Sequence, residues 1–397
     1  MSQPFPPPPT TALDWENAEE LFKFQEVNGH IESTHHKSTG QWTPLKFIPD
    51  PFMRIHGLAP GLNYGQQAFE GLKAFRMPDN NKIAIFRPDR NAQRLQHSAR
   101  TLNMPAVPTD MFIRACRAAA ALNAEFVPPH ETGWSLYCRP LMFASGPMFP
   151  PGLPNEVTFA VYVFPTPTSH RADANPDPVK ALVLDEFDRA APRGTGTAKA
   201  GGNYAGVFRH AGSAQADGFG ITLHLDSVRH EYVDEFSLCG FLGVIRSSSG
   251  GGDDEDNVTL VVPESPCAID SLTSDSVQQI ARSWGWKVVK RLVPYTELPA
   301  FSEVLGAGTA MGLVPIRSIT RRLGAGRGRL PVGHPRVATT DNESEEAVVY
   351  IADEQKGGGP VFRKLMEKFK AIQLGKGEDE FGWRFEVQEK DKQIARL

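Results

Sequence analysis

Four prolines fall within fourteen residues at Pro165-Thr-Pro-Thr-Ser-His-Arg-Ala-Asp-Ala-Asn-Pro-Asp-Pro178, and neither a helix interior nor a central strand runs through such a stretch. Each proline fixes its own φ, has no N–H to donate, and turns the preceding residue away from the helical region. The stretch therefore reads as a linker. A chain of 397 residues is long for one core, and the linker divides it into a first part, 1–164, and a second, 179–397. Apolar residues make up 40% of the chain, enough for two cores. Both parts mix helix and strand signals, so the expected class is α/β (α+β) with two domains.

In the first part, Pro88 suits a first helical turn, and Ala92, Leu95 and Ala99 recur at helical spacing. A second helix is expected behind Thr109 to Ala124, and strands at Ser135–Phe143 and Val157–Phe164. In the second part, strands are expected near Ala181–Leu184, Gly220–Leu225 and Trp286–Val293, and a helix from Ser274 to Trp284 that stops at Gly285. The insert 247–256, rich in Ser, Gly and Asp, reads as a solvated hairpin tip. The arginines between Arg317 and Arg329 have no interleaved aromatics and read as an exposed loop. Residues 1–20 open on Met1-Ser-Gln-Pro-Phe-Pro-Pro-Pro-Pro and read as a mobile tip.

A formal net charge of -4 gives no broad field for nucleic acid or an anionic membrane. No run of 18 apolar residues is present. The start lacks the regions of a signal peptide and carries Asp14, Glu16, Glu19 and Glu20, unlike a transit peptide, so a cytoplasmic protein is expected. Cys116, Cys138, Cys239 and Cys267 are scattered and read as reduced, buried thiols. The His35-His36 pair reads as a wet loop rather than a metal site, so no metal is expected.

The chemistry centres on Lys199, in the run from Arg189 to Tyr204 that holds Gly194, Gly196 and the Gly201-Gly202 pair. Small neighbours leave room for a flat cofactor, and a deprotonated lysine amine traps an aldehyde. That combination suggests a Schiff base to pyridoxal 5'-phosphate. A glycine-rich turn carrying a solvated lysine fits the same string. A P-loop fits poorly, because Ala200 stands where Ser or Thr is required.

Further segments sharpen the reading: Leu62–Arg76 with its Phe-Glu-Gly-Leu-Lys-Ala run, Gln93-Arg-Leu95, Tyr137-Cys-Arg-Pro140 and Gly306-Ala-Gly-Thr-Ala310. With Lys199-Ala-Gly-Gly-Asn-Tyr204 they resemble the branched-chain-amino-acid aminotransferases, fold-type-IV (class IV) pyridoxal-phosphate enzymes, in order from about Gly61 to Trp383. The resemblance implies a small and a large α/β domain with the cofactor at the domain interface, a homodimer, and a place in branched-chain amino-acid biosynthesis. It implies transamination between a branched-chain or related aliphatic L-amino acid and 2-oxoglutarate or glutamate.

Residue by residue, the resemblance makes Lys199 the Schiff-base lysine and proton shuttle, and Glu235 the carboxylate facing the pyridine nitrogen. Asp234 is the neighbour it could be confused with, but strand alternation turns the two to opposite faces. Arg94, Leu272, Thr273 and Thr309 match the phosphate contacts, and Tyr204 the phenol at the ring oxygen. Tyr64 and Phe69 match the apolar wall of the substrate pocket. Tyr137 and Arg139, two apart on one strand face, match the pair that handles carboxylates. Thr309 and Ala310 match the turn that takes the substrate α-carboxylate.

The chain departs from the family pattern in three places. Gly240 stands at an Asn position, which removes a side-chain hydrogen-bonding group. Ile269-Asp-Ser-Leu-Thr-Ser274 replaces a Leu-Pro-Gly-Ile-Thr-Arg run, which should weaken phosphate binding. Met311 and Val314 replace a Cys-x-x-Cys pair. These departures leave open a specialised relative that aminates an unusual 2-oxo acid in a secondary-metabolite pathway. A lyase, a D-amino-acid aminotransferase and a catalytically dead binding protein are the remaining alternatives.

Overall fold

The computed structural model describes residues 4–150, 152–167, 176–246, 257–323, 329–340 and 344–396. Contacts divide the chain into two compact units. One is Met1–Ala174 with Ala198–Gly201 and Lys370–Leu397, and the other Asn175–Thr197 with Gly202–Phe369. The expected linker lies mostly outside the described residues: 165 and 166 end a strand, and 168–175 are not described. The insert 247–256 also lies outside them.

The first unit is built on strands β1 (His30–His36), β2 (Gln41–Trp42), β3 (Lys46–Ile48), β4 (Gln67–Phe69), β5 (Leu72–Arg76), β6 (Ile83–Phe86), β7 (Ser135–Ala144) and β8 (Glu156–Thr166). Two late strands, β19 (Arg384–Val387) and β20 (Ala395–Arg396), complete the order β19-β6-β5-β7-β8-β1-β3-β20, with β2 on β1 and β4 on β7. Residues from 370 onward, grouped with the second part on sequence, therefore pack with the first. β19 pairs with β6, and β20 with β3. The His35-His36 pair is the end of β1, bonded to β2 and β8, rather than a loop.

Four helices belong wholly to this unit: α1 (Ala18–Leu21), α2 (Pro60–Asn63), α3 (Pro88–Thr101) and α4 (Thr109–Leu122). α3 starts on Pro88 and buries Asn91, Ala92, Leu95, Ser98 and Ala99, a stripe at helical spacing. Leu95 and the alanines of α4 join Phe112, Leu136, Phe159 and Val161 in the core, and each large apolar side chain there stabilises the fold by about 1.5–3 kcal/mol. The proline-rich start, expected to be mobile, lies against this unit. Arg76 is buried and needs acceptors; it takes Val127 O, Ala124 O and, at 2.7 Å, Pro7 O.

The second unit carries β9 (Val179–Val183), β10 (Ile221–Leu225), β11 (Val233–Phe236), β12 (Gly240–Arg246), β13 (Val258–Pro263), β14 (Lys287–Arg291), β15 (Glu303–Gly308), β16 (Gly312–Arg322), β17 (Val337–Thr339) and β18 (Glu345–Val349). The order is β11-β10-β9-β16-β15-β12-β13-β14, with β18 on β16 and β17 on β18. The helices are α5 (Gly202–Ala216), α6 (Leu272–Ser283) and α7 (Pro360–Gln373), the last crossing the division between units. α6 ends at Trp284 before Gly285, which takes φ +80°, a left-handed conformation that glycine adopts without strain.

The arginine run corrects one expectation. Arg317, Arg321 and Arg322 lie on β16, with Arg321 only 1% exposed. Its guanidinium forks onto Asp185 at 2.8 and 2.9 Å and stacks on Tyr295 at 4.6 Å. A carboxylate 136 residues earlier in the chain is invisible to local pattern. Residues 324–328 are not described. Among the described residues no helix is long and apolar enough to cross a membrane, and all four cysteines are buried and unpaired.

Candidate active site

In β7 the even-numbered side chains Leu136, Cys138 and Met142 enter the core, and Tyr137 and Arg139 stand half-buried on the other face. This is the period-two alternation of a strand with one buried side. The Arg139 guanidinium lies 5.2 Å from the centroids of both the Phe69 and Tyr137 rings. Its Nη2 approaches Tyr137 Oη at 3.4 Å, and its Nε is buried without a hydrogen-bond partner. Leaving a buried donor unsatisfied costs about 1–3 kcal/mol, so an incoming carboxylate complements this group. A Cβ on Gly71 would lie 2.0 Å from Tyr137 Oη; glycine there is what admits the phenol.

Lys199 joins the same cluster. Its carbonyl accepts from Phe69 N at 3.1 Å, its own N–H donates to Ser98 Oγ at 2.8 Å, and Ala200 bridges to Ala68. Its Nζ sits 4.4 Å from the centroid of Phe69. One aromatic ring thus carries an amine and a guanidinium beside it. A Cβ on Gly201 would lie 2.7 Å from Gln67 Nε2, which explains a glycine where this segment crosses β4. Tyr64 is 54% exposed at the end of α2.

Arg94 meets Glu70, a residue that sequence reasoning misses. Nε to Oε1 is 2.7 Å and Nη2 to Oε2 is 2.8 Å, and Asn91 Nδ2 donates to Oε2 at 2.7 Å. Glu70 is fully buried, so this two-pronged pair fixes the plane of the guanidinium. The only sequence signal was Asn91 and Arg94 three apart, hence on one helix face.

In the second unit, β11 presents two neighbouring carboxylates with separate partners. Glu235 pairs with Arg189 and accepts from Ile269 N at 3.3 Å. Asp234 accepts from Ser265 Oγ at 2.5 Å, and burial pushes its carboxyl up to about 6. Arg189 also donates to Gly196 O at 3.2 Å and to Cys267 O. α6 begins behind Ser271, whose Oγ accepts from Ser274 N, while Ser271 O accepts from Asp275 N. The amides of Leu272 and Thr273, in the first turn, have no acceptor within the helix and meet the positive end of its dipole. Thr309 and Ala310 form the turn between β15 and β16, and Tyr204 lies in the first turn of α5.

His224 is a second residue that pattern did not signal. It stands opposite Glu235 in the β10–β11 register, is 3% exposed, and has both ring nitrogens unpartnered. Burial, then the charges of Arg189 and His210, push the imidazole down to about 3. The unfolded chain therefore binds a proton below about pH 6.5 that the folded chain does not. Stability contributed by neutral His224 is full above that pH and is lost as pH falls toward 3. Urea denaturation between pH 4 and 6 is expected to show a slope about 1.4 kcal/mol per pH unit steeper for the wild type than for His224→Phe. Equal slopes would contradict this.

Lys199, Phe69, Tyr137 and Arg139 are thus brought together in the first unit, with Arg94 held on Glu70. Glu235, Leu272, Thr273, Thr309, Ala310 and Tyr204 belong to the second. The amino-transferase class IV family model matches residues 67–319. Aminotransferase poxL of Penicillium oxalicum is 45% identical over 385 residues, 97% of this chain and 96% of its own. The chain belongs to the class IV aminotransferases. A Glarea lozoyensis protein named branched-chain amino acid aminotransferase gloG is 46% identical over 322 residues, 81% of this chain and 87% of its own. Among solved structures, the branched-chain aminotransferase of Escherichia coli aligns with a TM-score of 0.65 at 21% identity, covering 91% of this chain and 99% of that one. That of Thermobaculum terrenum, in its pyridoxal-phosphate form, aligns at 0.68 and 20% identity, covering 92% and 100%. At these identities the likeness concerns the fold, which is fold type IV. Class IV aminotransferases depend on pyridoxal 5'-phosphate, and it is the cofactor of this aminotransferase.

Proposed function

We propose that this aminotransferase moves an amino group between a branched-chain or related aliphatic L-amino acid and 2-oxoglutarate, working as a homodimer in the cytoplasm. The observation that carries the reading is Arg139: a guanidinium set against the Phe69 and Tyr137 rings, with a buried Nε lacking an acceptor. A pocket of that composition accepts hydrocarbon against its rings and the side-chain carboxylate of glutamate on its guanidinium. The relative named a branched-chain amino acid aminotransferase supports the same substrate class. Phe52, Leu58, Leu62, Phe149 and Leu153 of the first unit are exposed, and a partner subunit that covered them would remove this apolar surface from water.

The residues present fit the cofactor: a lysine amine, a helix start whose first amides have no acceptor within the helix, and a buried carboxylate. Arg94, Leu272, Thr273 and Thr309 would hold the phosphate, Tyr204 the ring oxygen and Glu235 the pyridine nitrogen. When bound, pyridoxal 5'-phosphate supplies the sink for electrons released at the substrate Cα. Lys199 would hold the cofactor and then carry the proton between the substrate Cα and the cofactor C4′. The amides of the Thr309-Ala310 turn hold the α-carboxylate, and Tyr64, Phe69 and Tyr137 exclude water around the side chain.

Arg139→Ala tests the substrate reading. It is expected to lower kcat/KM for glutamate by at least about ten-fold, because a hydrogen bond to a charged group contributes about 1.5–3 kcal/mol. Leucine as donor should lose clearly less. Equal losses would assign Arg139 to the shared α-carboxylate. A panel of aliphatic, branched and aromatic 2-oxo acids with glutamate tests the branched-chain preference.

A further inference from the structure

Gly240 opens β12 directly opposite Ala307 of β15. Ser271, the residue that caps the start of α6, stands beside that pair. Its Oγ donates to Ala307 O at 2.8 Å and accepts from Ser274 N at 3.2 Å, so one hydroxyl bridges the strand and the helix. The bridge depends on Gly240 having no side chain. A Cβ there would lie 3.1 Å from Ser271 Cβ and 3.6 Å from its Oγ, so even one carbon would make the serine give by a few tenths of an ångström, and a longer side chain would compete for its space. Both residues line one cavity of about 230 Å³ together with Glu235, Ile269 and Asp270. These are also two of the positions at which the chain leaves the family pattern, Gly240 standing for Asn and Ser271 for Gly.

We propose that the two departures are one coupled exchange, in which the space given up at 240 is taken by the Ser271 hydroxyl, a positioning group that clamps the start of α6 to β15. Ser271 immediately precedes Leu272 and Thr273, and Ala307 lies two residues before Thr309. The single Ser271–Ala307 hydrogen bond therefore ties together the two chain segments that carry these residues. The inference rests on the reading of Leu272, Thr273 and Thr309 as phosphate contacts. It also removes the expectation that the departures weaken phosphate binding: the hydrogen-bonding group is not lost but relocated from strand to helix cap. Ser271 does not itself touch the cofactor in this account. It acts by fixing the separation of groups that do.

A double-mutant cycle tests the exchange. Ser271→Gly removes the bridge, and Gly240→Asn drives the serine away. Each is expected to raise the dissociation constant for pyridoxal 5'-phosphate by about five-fold or more, the size of one lost hydrogen bond. The double variant Gly240→Asn/Ser271→Gly is expected to return to within about three-fold of wild type, because the asparagine amide then has the serine's space and can donate to Ala307 O. Ser271→Ala, which keeps the Cβ and should fold in any event, is expected to match Ser271→Gly in cofactor affinity. The clamp acts on the phosphate end, so affinity for pyridoxal, which lacks the phosphate, should stay within about two-fold throughout. Losses that multiply in the double variant, or single variants with unchanged cofactor affinity, would overturn the exchange. Thr273→Ala and Thr309→Ala serve as controls. If they weaken pyridoxal no less than pyridoxal 5'-phosphate, it is the phosphate reading that fails; if they behave as expected and the cycle is additive, the exchange alone fails.

Discussion

Lys199→Ala is expected to lose at least about a thousand-fold in transaminase turnover, the scale of a positioned acid–base group, with the fold left in place. The backbone of Lys199 holds its segment to the first unit through Phe69 N and Ser98 Oγ, and alanine keeps both bonds. Truncation also removes the contact of the amine with the Phe69 ring, about 0.5–1 kcal/mol for such a pair. What it removes from the chemistry is the anchor and the base together. Single-turnover kinetics and thermal denaturation on the same preparation check both halves. Wild-type turnover in a folded variant would remove Lys199 from its role.

Glu235→Gln is expected to lower kcat by at least about a hundred-fold while changing the cofactor dissociation constant far less. The carboxylate sets the charge state of the ring that accepts electrons, whereas the phosphate contacts retain the cofactor. A second effect accompanies it. Arg189 is buried against Glu235, with side chains only 4% and 7% exposed, and removing the negative partner leaves a buried cation uncompensated. Loss of one member of such a pair costs about 3–5 kcal/mol, so the variant should also unfold at lower urea, and kinetics belong well below its midpoint. Asp234→Asn is the discriminating companion. Its carboxyl accepts from Ser265 Oγ, an acceptor that the amide oxygen of asparagine replaces, so the variant should be tolerated and kcat should stay near wild type. A large loss at Asp234 with a silent Glu235 would reverse the assignment of the two strand faces.

What could be read from the chain follows the range over which its signals act. The alternation through Tyr137 and Arg139 is local, and β7 carries it as expected. The helix expected from Ser274 and its stop at Gly285 depend on neighbours in sequence, and both are present, though α6 starts two residues earlier, at Leu272. The features that sequence did not disclose are pairings between distant residues. Arg94 finds Glu70 across a change from strand to helix, Arg321 finds Asp185 across 136 residues, and His224 acquires its environment from Arg189 and a facing strand. β19 alternates polar and apolar over only four residues, Arg384 to Val387, too short a run to say which sheet it joins, and only its pairing with β6 shows that the C-terminal stretch returns to the first unit. Gly240 illustrates the limit most sharply: as a letter it is a missing side chain, and only the position of Ser271 Cβ, 3.1 Å from where a Cβ at 240 would lie, reveals that the space is used.

Borohydride reduction of the pyridoxal-phosphate-loaded protein, followed by digestion and mass analysis of the peptides, tests the central claim most directly. The phosphopyridoxyl group is predicted on the peptide that carries Lys199, with the near-visible absorbance abolished and activity lost in step. The label on another lysine, or an unlabelled Lys199 peptide from protein that was active before reduction, would contradict it.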